Sequence, residues 1–251
     1  MQTCSFATTC WENDWEHILC KPDYLSLCQI QRHCYPFAER LLIINNVLDL
    51  EKVKAKAESL ISEGILTRYI VADEIAAEML LFFGLCRSDF DVKEEGKKFN
   101  LHPDWLYYNA LGPLAAIYEN QSDYLLYVTG DVWLKKPVRW IERAMKIMEK
   151  KPQVKVANLL WNGATKEAKK EAYKKSWNFF FSKLGFSDQM FLVARDVARS
   201  QMYTELRSDL SHFPRGETFE RRFFSYMKNR DWERITFRRG SYTHENIVHT
   251  E

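Results

Sequence analysis

A chain of 251 residues with 46% apolar and 14% aromatic side chains can bury the core of one large α/β domain or two small ones, which excludes a disordered protein. Its 36 basic and 34 acidic residues leave a net charge of +2, which argues against a general nucleic-acid binder and leaves only local patches. No apolar run nears the roughly 18–20 residues needed to cross a bilayer.

The start, MQTCSFATTCWEND, lacks the basic and apolar regions of a secretory signal, so a cytoplasmic location is expected. Reduced thiols are then the expected state of the six cysteines. Cys20, Cys28 and Cys34 lie near His17 and His33, a set able to bind zinc, but its spacing matches no CxxC knuckle.

The first predicted element is a β-branched, buried strand over 4–10, leading through WENDWEHIL into a helix. A second strand spans 40–46 and stops on two asparagines. Asp49 is placed to cap a helix over 50–64 whose residues Val53, Ala57, Leu60 and Ile61 share a face, and Gly64 closes it. A strand over 66–73, an apolar helix from Glu74, a polar loop over 86–105 and a helix over 107–121 follow. Residues 124–128 are a strand, and Pro137 is expected in the first turn of a helix reaching Lys150. Residues 154–161 are a strand, 164–175 a solvated charge run, and 185–203 a short strand with a helix. Residues 214–240 are rich in arginine and aromatics. They read either as a phosphate-gripping and stacking segment or as an amphipathic helix built on Phe219, Phe223, Phe224 and Met227.

Strand–helix alternation predicts a largely parallel sheet, in which ligands collect beyond the carboxyl ends of the strands. Residues 8–11, Asn45 and Asn46, Asp73, and 129–131 all fall at such ends. No GxGxxG turn or Walker loop is present, so a bound nucleotide needs another phosphate anchor, of which a divalent cation is the usual one. In YLLYVTGDVWL (124–134), Asp131 at a strand tip suits Mg²⁺ or Mn²⁺, Gly130 permits close approach of the main chain, and Thr129 offers a hydroxyl. The plainer reading of Asp131 is a cap on the loop before Pro137.

The apolar strand, the D-x-D-like tip TGD and the following WL..P..W resemble the GT-A glycosyltransferases. In the same order, SFATTCWENDWEHIL, FAERLLIINNV, YLLYVTGDVWL, VKVANLLWN, GFSDQMFLV and GSYTHEN are similar to the small GT-A enzymes of large algal viruses (chloroviruses). Those enzymes decorate capsid glycans and include a rhamnosyltransferase type. Thr129 stands where a first D-x-D carboxylate would be, a departure that bears on two-carboxylate metal binding. The resemblance implies one GT-A domain over 1–251, Rossmann-like with a mostly parallel sheet. Residues 1–135 would bind the nucleotide sugar and 136–251 the glycan acceptor. It further implies a UDP-sugar donor, Mn²⁺ or Mg²⁺ as cofactor, and, for a viral protein, the host cytoplasm as its place. Thr8, Thr9 and Trp11 would face the nucleoside with Asn46 and Asp73 nearby, Thr129 and Gly130 would meet the donor, and Asp131 and His244 would hold the metal.

Sugar transfer with inversion requires a base for the acceptor hydroxyl, and a nearby negative charge favours an oxocarbenium-like transition state. Asp188, on a short turn after Gly185, is the first candidate, Glu220 the second and Glu217 the third. Asp188 alternatively caps the element that follows it. Among the eight tryptophans, Trp161 and Trp177 border the polar 162–176 stretch, where an acceptor sugar could stack. A sugar nucleotidyltransferase and a catalytically decayed GT-A relative acting as a binding protein are the competing readings.

Overall fold

The computed structural model describes residues 2–20, 30–91, 104–201, 203–210 and 218–244, with His244 described in its backbone alone. The strands are β1 (Cys4–Cys10), β2 (Glu39–Ile44), β3 (Arg68–Val71), β4 (Tyr124–Val128), β5 (Val132–Trp133), β6 (Val154–Trp161), β7 (Lys174–Lys175), β8 (Phe179–Ser182), β9 (Met190–Ala194) and β10 (Glu233–His244). The α-helices in the described residues are α1 (Trp15–Cys20), α2 (Leu50–Ser62), α3 (Ala72–Phe82), α4 (Trp105–Glu119), α5 (Ile141–Lys150), α6 (Thr165–Glu171), α7 (Arg195–Ala198) and α8 (Phe219–Asn229).

One sheet runs in the order β3-β2-β1-β4-β9-β6-β10-β8-β7, with β5 on the end of β10. The strands β3, β2, β1 and β4 are parallel neighbours. Next, β9 lies antiparallel between β4 and β6, and β10 returns parallel to β6. The result is the mostly parallel α/β sheet expected, with the carboxyl ends of β1, β2, β4, β6 and β10 along one edge.

Period-two alternation divides the core. Ala7, Leu125, Tyr127, Phe191 and Val193 face α3, α4 and α8, whereas Phe6, Leu126, Val128 and Leu192 face α5. A smaller cluster joins Leu42 and Ile44 to α1 and α2 through Trp15, Ile18, Val53 and Ala57. The α2 helix follows its sequence signals: Asp49 accepts from the Lys52 amide at 3.2 Å, and Gly64 leaves the helix at φ +72°.

Several expectations are corrected. The third strand ends at Val71 and α3 begins at Ala72, which places Asp73 in the first turn of a helix. Pro137 precedes α5 by four residues rather than opening it. Trp140 sits at the helix entrance with φ −139°, fully buried, and donates its indole N–H to His33 Nδ1 at 3.2 Å. Tertiary packing of that indole overrides the local preference of the proline. Residues 214–240 hold α8 and most of β10, a central strand that the arginine-rich composition conceals. Residues 164–175 divide into α6, which buries no side chain, and the edge strand β7.

Cys4, Cys10, Cys20, Cys34 and Cys86 are free thiols, and Cys28 lies outside the described residues. His33 is buried, with Nδ1 already accepting from Trp140, and burial lowers its pKa to about 3. Among the described residues no group of three or more His, Cys, Asp or Glu side chains is placed to enclose a metal. No helix among them is long and apolar enough to cross a membrane.

Candidate active site

A cleft of about 500 Å³ opens at the carboxyl edge of the sheet. Its walls come from six places in the chain: the turn after β1, the asparagines after β2, the start of α4, the tip of β4, the approach to β9 and the start of α8. Four carboxylates face it, Asp14, Asp131, Asp188 and Glu220, and no lysine or arginine does among the described residues.

The β4 tip is held rigidly. The Thr129 amide donates to Gln189 O at 2.9 Å, and Thr129 Oγ1 donates to Asp131 Oδ1 at 2.8 Å. The Thr129 hydroxyl therefore orients the carboxylate two residues on. Gly130 is required for a reason other than ligand approach. A Cβ there would strike the Ile18 side chain and come within 2.5 Å of Thr9 O, so the main chain is pressed against α1 and β1.

Beside Asp131 stands Asp14, only 6% exposed, with Oδ1 accepting the Trp11 amide at 2.8 Å. Burial pushes the Asp14 carboxyl well up, the Trp11 amide opposes this, and the Asp131 charge adds to it. Burial raises the Glu220 carboxyl well above its ordinary range, the Asp188 charge raises it further, and Arg234 acts in the opposite sense. The cleft thus holds two carboxylate pairs, Asp14 with Asp131 and Asp188 with Glu220.

Asn45 is also 6% exposed; its Nδ2 donates to Tyr108 O at 2.7 Å, while Oδ1 is buried without a hydrogen-bond donor. A buried acceptor of this kind costs on the order of 1–3 kcal/mol until a donor arrives. The α4 helix comes close to the strands because Gly112 has no side chain: a Cβ would lie 2.8 Å from the Tyr127 hydroxyl and 3.3 Å from Thr9 Oγ1. Trp105, Tyr108 and Asn109 in its first turns consequently line the cleft.

Thr9, Trp11, Asn46, Thr129, Gly130, Asp131, Asp188 and Glu220, singled out in the sequence, all line this cleft. Thr8 does not: it is buried, and strand alternation turns it to the opposite face from Thr9. Asp73 lies apart, in a shallow depression with Asn46 and Glu74. The backbone of His244 pairs with Val132, next to Asp131, while its side chain and the whole of Glu217 lie outside the described residues. Asp14, Asn45, Trp105, Tyr108 and Asn109 are additions from the structure. Asp14 carries a readable signal, an aspartate immediately before the apolar start of a helix. The α4 residues carry none, because they reach the cleft only through the Gly112 contact.

No protein-family model matches the sequence, and no curated protein matches it either. Solved structures do resemble the fold. A mannosyltransferase from Pyrobaculum calidifontis in complex with GDP-Man and Mn²⁺ superposes at TM-score 0.54 and 10% identity, over 99% of this chain and 58% of that one. Glucosyl-3-phosphoglycerate synthase from Mycobacterium tuberculosis, in complex with Mn²⁺, UDP and glucosyl-3-phosphoglycerate, gives TM-score 0.50 and 12% identity over 98% of this chain and 73% of that one. A CMP:2-keto-3-deoxy-manno-octonic acid synthetase complexed with CTP gives 0.45 and 12%, over 96% and 90%. At such identities the likeness is one of architecture, and the architecture is that of the GT-A glycosyltransferases.

Proposed function

We propose that the chain is a glycosyltransferase that moves a sugar from a UDP-linked donor to a glycan hydroxyl, with Mn²⁺ or Mg²⁺ as cofactor. The observation that carries this reading is the charge of the cleft: four carboxylates and no basic side chain among its described lining residues. A diphosphate entering such a site meets strong repulsion unless a cation intervenes. The donor set fits one. Mg²⁺-like ions take one or two carboxylates and complete their shell with phosphate oxygens and water. Asp131, oriented by Thr129, and Asp14 beside it supply those two carboxylates, Asp14 making good the missing first D-x-D acid. His244, whose backbone runs alongside Val132, is proposed as a further ligand. When bound, the cation neutralises the departing diphosphate.

The other residues take roles according to their chemistry. Asn45, with one amide N–H given to Tyr108 O and a buried Oδ1 that has no donor, is proposed as a polar contact of the nucleoside. Thr9, Trp11 and Asn46 complete the nucleoside wall, Thr8 backs it from within the sheet, and Asp73 lies at its margin. In the Asp188–Glu220 pair, burial and the Asp188 charge raise the Glu220 carboxyl, and Asp188, on the approach to β9, is proposed as the base. Asp188 takes the acceptor proton and faces the positive charge developing on the sugar, in an inverting displacement. A deoxyhexose donor such as rhamnose, a capsid-glycan acceptor and a cytoplasmic setting rest on the viral sequence resemblance.

Calorimetric titration with UDP tests the cation role. Binding is expected in Mn²⁺, abolished by chelator or by Asp131→Ala, and weakened by Asp14→Asn. Undiminished UDP binding in chelator would refute it. Asp188→Asn is expected to keep UDP binding and lose transfer by about 10²–10⁴-fold. Pyrophosphate release from UTP and a sugar phosphate would instead identify a nucleotidyltransferase.

A further inference from the structure

Two tryptophans stand in solvent at the same sheet edge as the cleft. Trp161 ends β6 and is 47% exposed, and Trp177, at the turn of the β7–β8 hairpin, is 77% exposed. Since β7 runs in the direction of β10 and β6, its hairpin turn lies at their carboxyl ends. Leaving an indole so open forgoes about 25 cal/mol for each Å² of apolar area that burial would remove from water.

The hairpin turn is also held in place. The Arg238 amide donates to Asn178 O at 2.8 Å, and Arg238 Nη1 donates to Ser176 O at 2.6 Å. The next residue, Arg239, places its guanidinium 4.7 Å from the Trp177 ring centroid. A guanidinium thus lies against the indole, which still stays 77% exposed. Both arginines belong to the irregular stretch of β10 between Phe237 and Ser241, where its register with β6 shifts. The platform connects to the cleft: Trp161 is in register with Tyr242, whose hydroxyl lies 3.2 Å from Ser187 Oγ, and Ser187 adjoins Asp188.

We propose that Trp161 and Trp177 form a stacking platform on which the acceptor is held as an oligosaccharide at least two rings long, with its reacting end directed to Asp188. The direction of the chain rests on the glycosyltransferase reading; the binding does not. A pyranose presents a flat face of C–H groups to an indole and a rim of hydroxyls to its surroundings. The rim here is polar, with Lys174, Lys175 and Arg239 exposed around the hairpin.

The intact protein, applied to a printed array of diverse oligosaccharides, is the test, with each hit then titrated in solution by tryptophan fluorescence. Trp177→Ala and Trp161→Ala are each expected to weaken binding about tenfold, equivalent to about 1.4 kcal/mol. Trp177→Phe, which keeps an aromatic face, is expected to bind within about threefold of the parent. The platform is overturned if no saccharide binds, if the alanine variants bind as the parent does, or if Trp177 instead mediates binding to phosphatidylserine vesicles. UDP–Mn²⁺ affinity, measured in the same variants, separates the two ideas. Intact nucleotide binding without saccharide binding removes only the platform, and the reverse result removes only the catalytic reading.

Discussion

Gly130 shows how a residue can serve a site without touching a ligand. Its missing side chain lets the β4 tip rest on Ile18 and Thr9, so Gly130→Ala should displace Asp131 as well as strain the packing. A loss of about 1–3 kcal/mol in chemical denaturation is expected, together with weaker UDP–Mn²⁺ binding. Glu220 gives a pH-dependent prediction. Its carboxyl is raised in the folded state by burial and by Asp188, so the folded protein binds that proton more tightly than the unfolded chain. Its contribution is therefore full below the ordinary glutamate range and is lost as pH rises through the elevated folded value. Glu220→Gln should raise the Tm at neutral pH while changing it little near pH 4, which thermal scans across pH would establish. Equal shifts at both pH values would contradict this account. Asp131, Asp188 and Glu220 were readable because acids at strand and turn ends are conspicuous. Asp14 shows in the sequence only as an aspartate at a helix entrance, which reads first as a cap, and the fold brings it beside Asp131.

At the scale of elements, legibility followed periodicity. The strands over 4–10, 124–128 and 154–161 match β1, β4 and β6 to the residue, because apolar and β-branched side chains dominate them and almost all are buried. By contrast, β10 carries Arg234, Arg238 and Arg239 in the same stretch as its buried Ile235 and Phe237, and its charge obscured the alternation. Thr218 marks the boundary between that strand's preceding helix and the cleft. Its side chain accepts from the Arg221 amide at 3.1 Å, capping α8 immediately before Glu220. Thr218→Ala should cost about 1 kcal/mol, whereas Thr218→Ser should cost much less. Urea denaturation of the pair would measure the difference, and equal losses would argue against a capping role.

Across the whole molecule, Arg222 is the longest internal tie. It is 2% exposed, donates to Tyr203 O at 2.8 Å and to Asp89 O at 2.6 Å, and lies 5.0 Å from the Phe90 ring centroid. It thus links α8 to the turn after α3 and to the segment after α7. Arg222→Ala would strand these buried carbonyls, with an expected loss of about 3–5 kcal/mol. A Tm fall of roughly 6–20 °C should follow in calorimetry. The β9 strand has a wider consequence, because it is the seam between β4 and β6 although it is made after both. On the ribosome, the nascent chain must carry two unpaired inner strand edges until residue 194 emerges, a state open to wrong pairing. Severing the gene after codon 135 should therefore yield an insoluble amino-terminal product, and supplying the remainder in the same cell should restore its solubility.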